Sequence, residues 1–170
     1  FESFASSYPK SEKLEEAAFL GAKSYSMLSP VYSIDQTDTS KAIEKLQTFI
    51  DTYPNSTYLE EANAVLKTLT GKIEKKNFEN AKQYNTISDY KSAIIALDNF
   101  IADFPGTPYK EEALYYKLDS AYNLAMNSVQ SKMQERLENA RLAYSGLMKF
   151  NANTTRKANA DNMLAEIEKN

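Results

Sequence analysis

Carboxylates are the side chains of this chain best suited to chemistry. Asp35 and Asp38 stand three residues apart in a polar stretch, a spacing that would in principle let them work as general acid and base. Nothing in the neighbouring sequence builds a pocket around them, and capping of the following helix is the simpler role for Asp38. The chain has no His and no Cys. That removes thiol nucleophiles, disulfides, the usual zinc sites and every mechanism that relies on imidazole. The expectation is a non-enzyme with no catalytic residue, no metal ligand and no cofactor.

The other conspicuous carboxylates recur at a fixed place. Phe4…Tyr8-Pro9…Glu15-Glu16-Ala17, Phe49…Tyr53-Pro54…Glu60-Glu61-Ala62 and Phe100…Phe104-Pro105…Glu111-Glu112-Ala113 are three copies of one pattern, with the Ala eight residues after the Pro each time. The Pro residues are 45 and 51 residues apart. A unit of this length that closes one helix at Pro and opens the next on acidic residues is the mark of stacked helical hairpins. Ser11, Ser56 or Thr57, and Thr107 are suitable N-caps, and Thr57 with Glu60 has the spacing of a capping box. The acidic pairs then sit near helix N-termini, where the macrodipole favours them, so their expected role is structural.

Apolar spacings of three and four place the elements. Ala81, Tyr84 and Ile87, a break at Ser88-Asp89, then Ala93, Ile94, Leu97, Phe100, Ile101 and Phe104 read as two helices packed through inward stripes. The same second helix returns as Ala42, Ile43, Leu46, Phe49, Ile50 and Tyr53, partnered by Ala17, Ala18, Phe19, Ala22, Tyr25 and Leu28. Ala113, Leu114, Tyr116, Leu118, Ala121 and Leu124 pair with Ala140, Tyr144, Leu147 and Phe150, and a final polar helix carries Ala158, Met163, Leu164 and Ile167. Predicted helices fall near 11–28, 39–53, 57–87, 89–103, 108–126, 131–150 and 154–168. Gly71 is the weak point of the third. The fold expected is all-α, one domain over 1–170, an α-solenoid of antiparallel helix pairs. The irregular stretch 29–39 is either an interaction element or a cover with Val31, Tyr32 and Ile34 buried.

Composition narrows the partners. A net charge of −3 with mixed signs offers no basic face for nucleic acid. No apolar run approaches bilayer length. Lys67, Lys72, Lys75, Lys76 and Lys82 form a basic run, but Glu74 and Glu79 interrupt it, so it reads as an exposed helix face rather than a membrane contact. Phe1 to Pro9 reads as the end of a helix whose beginning is missing, which suggests a fragment with any export signal or anchor upstream.

Ala81, Tyr84, Ala93, Leu97 and Pro105 resemble the tetratricopeptide pattern, from which Phe100 departs because many such repeats have a small residue there. Longer stretches narrow the likeness: Leu28-Ser29-Pro30, Asp35-Gln36-Thr37-Asp38-Thr39, Tyr53-Pro54-Asn55-Ser56, Asp103-Phe104-Pro105-Gly106-Thr107, and Asn127-Ser128-Val129 with Glu135-Arg136. Together they resemble the BamD family of tetratricopeptide lipoproteins from the outer-membrane β-barrel assembly machinery, in its Bacteroidetes-type form. The likeness implies a right-handed solenoid at the periplasmic face of the outer membrane, held by a lipidated N-terminal Cys that this chain does not contain. It implies two partners: the POTRA region of the barrel-forming subunit, and unfolded outer-membrane proteins bound by their C-terminal segments. Membrane contact would come only through that anchor.

Most aromatics are expected in the core. Tyr32, Tyr58, Tyr109 and Tyr115 fit the inward stripes less well and are the aromatic candidates for partner contact. The connection around 125–136 reads as long, or else as a backward extension of the next helix through Met133, Arg136 and Leu137, and with Lys132, Glu135 and Arg136 it is where the resemblance places the POTRA contact. A glycan-binding lipoprotein on the same helices is the alternative, as is another periplasmic tetratricopeptide adaptor. The absence of Trp weighs against the glycan reading, because Trp is the strongest stacking platform for a sugar face.

Overall fold

The structure, a computed structural model, describes residues 1–170 apart from the side chains of Glu2 and Ala5. The fold is all-α, of tetratricopeptide-like helix pairs, with eight helices and no strand among the described residues. They are α1 (Glu2–Ser7), α2 (Leu14–Leu28), α3 (Thr37–Thr52), α4 (Leu59–Thr86), α5 (Tyr90–Asp103), α6 (Lys110–Met126), α7 (Gln130–Phe150) and α8 (Lys157–Glu168). The chain divides into two compact units, Phe1–Lys76 and Asn77–Asn170.

In the first unit α2 packs on α3. Phe19, Leu46 and Phe49 fill the core, while Ala22, Ala42 and Ala62 present nothing larger than a methyl and so let the backbones come close. In the second unit Leu97 and Phe100 of α5 pack with Phe78 and Ala81 of α4 and Ala113 of α6. Leu118, Ala121, Leu137, Ala140 and Leu147 join α6 to α7, and Ala160 and Ile167 of α8 close that cluster.

One turn is built four times. The amide of Ser11, Ser56, Thr107 and Thr154 donates to the carbonyl three residues back, and each Ser or Thr carbonyl accepts from the amide three residues on. Each hydroxyl also accepts the amide two residues on, from Lys13, Tyr58, Tyr109 and Arg156 respectively, at 3.1–3.2 Å. These hydroxyls therefore stabilise the turn before the helix and do not cap it in the expected way. Ser56 accepts for α4 at this shorter spacing, and the helix begins at Leu59, so the Thr57–Glu60 capping box is not what opens it. The fourth copy has no Pro. Asn151 replaces the aromatic, and its side chain accepts from the Asn153 amide at 3.0 Å.

Two of these hydroxyls, of Ser56 and Thr154, reach back to the preceding hairpin. Ser56 Oγ donates to Glu15 Oε1 at 2.5 Å, and Tyr58 stacks on Phe19 at 4.7 Å between centroids. Thr154 Oγ1 donates to Glu111 Oε1 at 2.5 Å, and the Arg156 guanidinium lies 4.9 Å from the Tyr115 ring. Glu15 and Phe19 are four residues apart, as are Glu111 and Tyr115, so one helical turn offers a carboxylate and a ring to the next turn's hydroxyl and planar group. In two of the three copies, Glu15 and Glu111, the first Glu of the pair is structural through this clasp as well as the dipole.

Some expected core positions face solvent. Tyr84 is 41% exposed, and Ile87, just past the end of α4, is exposed with it. Phe100, large where the repeat usually has a small residue, fills the interior against Phe78 at 5.7 Å, and Tyr84 lies at an open cleft instead. Phe150 and Leu28, last residues of their helices, are exposed. In α8 the inward alanine is Ala160 rather than Ala158, which puts Ile167 seven residues on along the same face. Asp38 lies inside the first turn of α3, and Asp35 Oδ1 accepts the Thr37 amide at 2.9 Å in its place. Asp89 caps α5 as its position suggests, accepting from Ser92 at 3.2 Å, after Ser88 has turned the chain at φ 63°.

Candidate docking surface

The connection between α6 and α7 is only Asn127–Val129, because α7 begins at Gln130. Of the two readings of 125–136, the backward extension of the helix through Met133, Arg136 and Leu137 is the one observed, within one residue of the expected start at 131. Val129 is extended and its carbonyl accepts the Lys132 amide at 2.9 Å, which starts α7 at once. Ser128 Oγ donates to the Leu124 carbonyl at 2.5 Å and accepts from Arg136 Nη1 at 2.6 Å. Arg136 thus adds positive charge where the α6 carbonyls end, a favourable place for a cation.

Lys132, Glu135 and Arg136 occupy the first turns of α7, and Asn139, Leu142 and Ala143 continue their face at helical spacing. The last four residues from Arg136 onward line a groove of about 340 Å³ with Ile94 of α5 and Leu124 of α6. Lys117 and Asp98 pair across it at 2.6 Å and neutralise one another. Arg136 has no such partner: its bond goes to a neutral hydroxyl, and it makes no ion pair among the described residues. A half-exposed guanidinium beside the exposed Leu142 is suited to a carboxylate flanked by an apolar side chain. Lys132 and Glu135, exposed at the groove's end, form a mixed-charge rim.

The aromatic candidates are placed differently. Tyr58 stacks on Phe19, and Tyr109 stacks on Phe78 at 5.1 Å with planes 10° apart. Tyr115 is 7% exposed, edge-on to Tyr116 and covered by Arg156. These three rings join helices. Tyr32 is half-buried under Lys75, whose ammonium is 4.1 Å from the ring centre. None of the four lines the groove. Its members Ile94, Leu124 and Leu142 were not singled out for contact, since each looks like an ordinary stripe residue in sequence. Tyr58 and Tyr109 did carry a usable signal: each stands four residues after its Pro.

No group of His, Cys, Asp and Glu able to hold a metal occurs among the described residues. No helix there is long and apolar enough to cross a membrane. Among the described residues the site is a groove on paired helices of an α-helical repeat, with a cation that has no carboxylate partner. A family model described as YfiO, outer membrane lipoprotein, matches residues 1–137. The chain belongs to the YfiO family of outer membrane lipoproteins. A search of curated proteins found no match.

Proposed function

We propose that this chain is a non-enzymatic scaffold of the outer-membrane protein assembly machinery, of the BamD type, working at the periplasmic face of the outer membrane. It docks the POTRA region of the barrel-forming subunit through the α7 face that holds Lys132, Glu135 and Arg136. Unfolded outer-membrane protein segments are its second class of partner. The observation that carries the reading is Arg136, a guanidinium with no carboxylate partner among the described residues, in a groove of mixed polarity that also holds Ile94, Leu124 and Leu142. Family membership supports the compartment.

Calorimetric titration of the chain with an isolated POTRA region tests this. Arg136→Glu should weaken binding by roughly tenfold or more, since a like charge replaces the central cation. Lys132→Glu, at the rim, should mainly change the association rate and its salt dependence. Wild-type affinity in Arg136→Glu, with an unchanged circular dichroism spectrum, rules out this surface.

A further inference from the structure

The stretch 29–36 between α2 and α3 is not the expected cover, since Val31 and Ile34 are exposed and Tyr32 is only half-buried. Its interior is polar: Gln36 and Thr39 are the buried residues, with Thr39 Oγ1 donating to Gln36 Oε1 at 2.8 Å and Gln36 Nε2 donating to the Val31 carbonyl at 2.8 Å. Lys72 Nζ donates to Ser29 Oγ at 2.9 Å and to the carbonyls of Ser29 and Pro30, and Lys76 Nζ donates to the Ile34 carbonyl at 2.5 Å. With Gln36 and Thr39 turned inward, the segment shows Val31 and Ile34 to solvent, beside Met27 and Leu28 at the end of α2. Met27 is 81% exposed, Leu28 61%, Val31 65% and Ile34 54%.

Four large apolar side chains from eight consecutive positions are an unusual solvent face for a soluble helical repeat. They are held on a backbone fixed by side-chain donors, so little ordering entropy remains to be lost on binding. The charge around them is mainly positive. Lys72, Lys75 and Lys76 of α4 stand behind the loop, with Lys75 over Tyr32. Asp38 faces Lys41 at 3.9 Å. Glu74 is turned about 200° around the helix from Lys72. Glu79, about a turn beyond Lys76, pairs with Lys82 at 3.9 Å. That leaves Asp35 as the loop's own carboxylate beside three ammonium groups.

We propose that this loop is a membrane-contact element that inserts Met27, Leu28, Val31 and Ile34 among the acyl chains of an anionic lipid surface. The occupant follows from the chemistry: an apolar tip backed by lysines is the composition that holds a peripheral protein at an anionic interface. The family's outer-membrane location brings such a surface within reach. This departs from the expectation that the chain touches membrane only through an anchor. It is independent of the POTRA reading, which concerns α7.

Flotation of the chain with lipid vesicles tests it. Vesicles with equal parts phosphatidylcholine and phosphatidylglycerol should carry the protein, and phosphatidylcholine alone should carry roughly fivefold less or lower still. The double variant Val31→Asp, Ile34→Asp should abolish flotation with the melting curve unchanged, because both side chains are solvent-exposed. Lys75→Gln should reduce it roughly fivefold and Lys75→Arg restore it. Absence of flotation, equal flotation on both vesicle types, or flotation that survives the double variant overturns the proposal. So does a loop that cross-links to a protein partner while vesicles are ignored. POTRA binding by the double variant should remain wild-type, so the two readings fail separately.

Discussion

Single side chains decide how one hairpin is tied to the next. Glu111 accepts from Thr154 at 2.5 Å and from Asn151 at 2.9 Å, and these hydrogen bonds hold its carboxyl below the usual carboxylate range. Thr154→Val should cost about 1–2 kcal/mol of stability, because it removes a donor to a charged acceptor, and a chemical denaturation midpoint will measure it. The sign of the pH effect follows. A depressed folded-state pKa contributes stability that is complete above the unfolded value of about 4.5 and is lost as pH falls through the lower folded value. Wild type should therefore lose stability faster than Glu111→Gln below about pH 4.5. Asp161 behaves in the same direction, its carboxyl lowered by bonds from Lys157 and Tyr144. The repeated Glu was legible in the sequence as structural. Its partner was not, because Ser56 lies 41 residues from Glu15, and Thr154 lies 43 from Glu111.

Among the elements, α4 is the longest, at 28 residues, and Gly71 sits within it without breaking it. A methyl built on Gly71 meets nothing within 4 Å. Gly71→Ala should raise stability by about 0.5–1 kcal/mol, read from the same denaturation midpoint, because only the backbone's freedom in the unfolded chain changes. The buried alanines behave oppositely. Ala140 is fully buried where α7 meets α6, and Ala140→Leu should cost about 1–3 kcal/mol by forcing the helices apart. A melting curve that does not move would mean the helices are not in close contact there. Helix order, the Pro stops and most of the inward stripes could be read from spacing alone. So could the start of α7, expected at 131 and found at Gln130, although its first turn has Met133 as its only large apolar residue; the groove beside it could not, because Ile94 and Leu124 are brought there by other helices.

For the whole molecule, the absence of His and Cys sets the pH response. No side chain with an ordinary pKa near neutrality exists to titrate. Thermal midpoints should stay constant between about pH 6 and 8.5 and fall only on the acid side, where the clasp carboxylates take up protons. A sloping midpoint across neutrality would contradict this. The 170 residues by themselves determined an all-helical repeat, its punctuation and the lack of imidazole and thiol side chains, because such properties follow from local spacing and from which side chains are present. Tertiary packing alone decided that Tyr58 and Tyr109 serve as stacking rings, that Arg136 lacks a carboxylate, and that the loop after α2 turns its apolar side chains outward. Each of these depends on what a distant helix places opposite the residue, and periodicity along one helix carries no record of that.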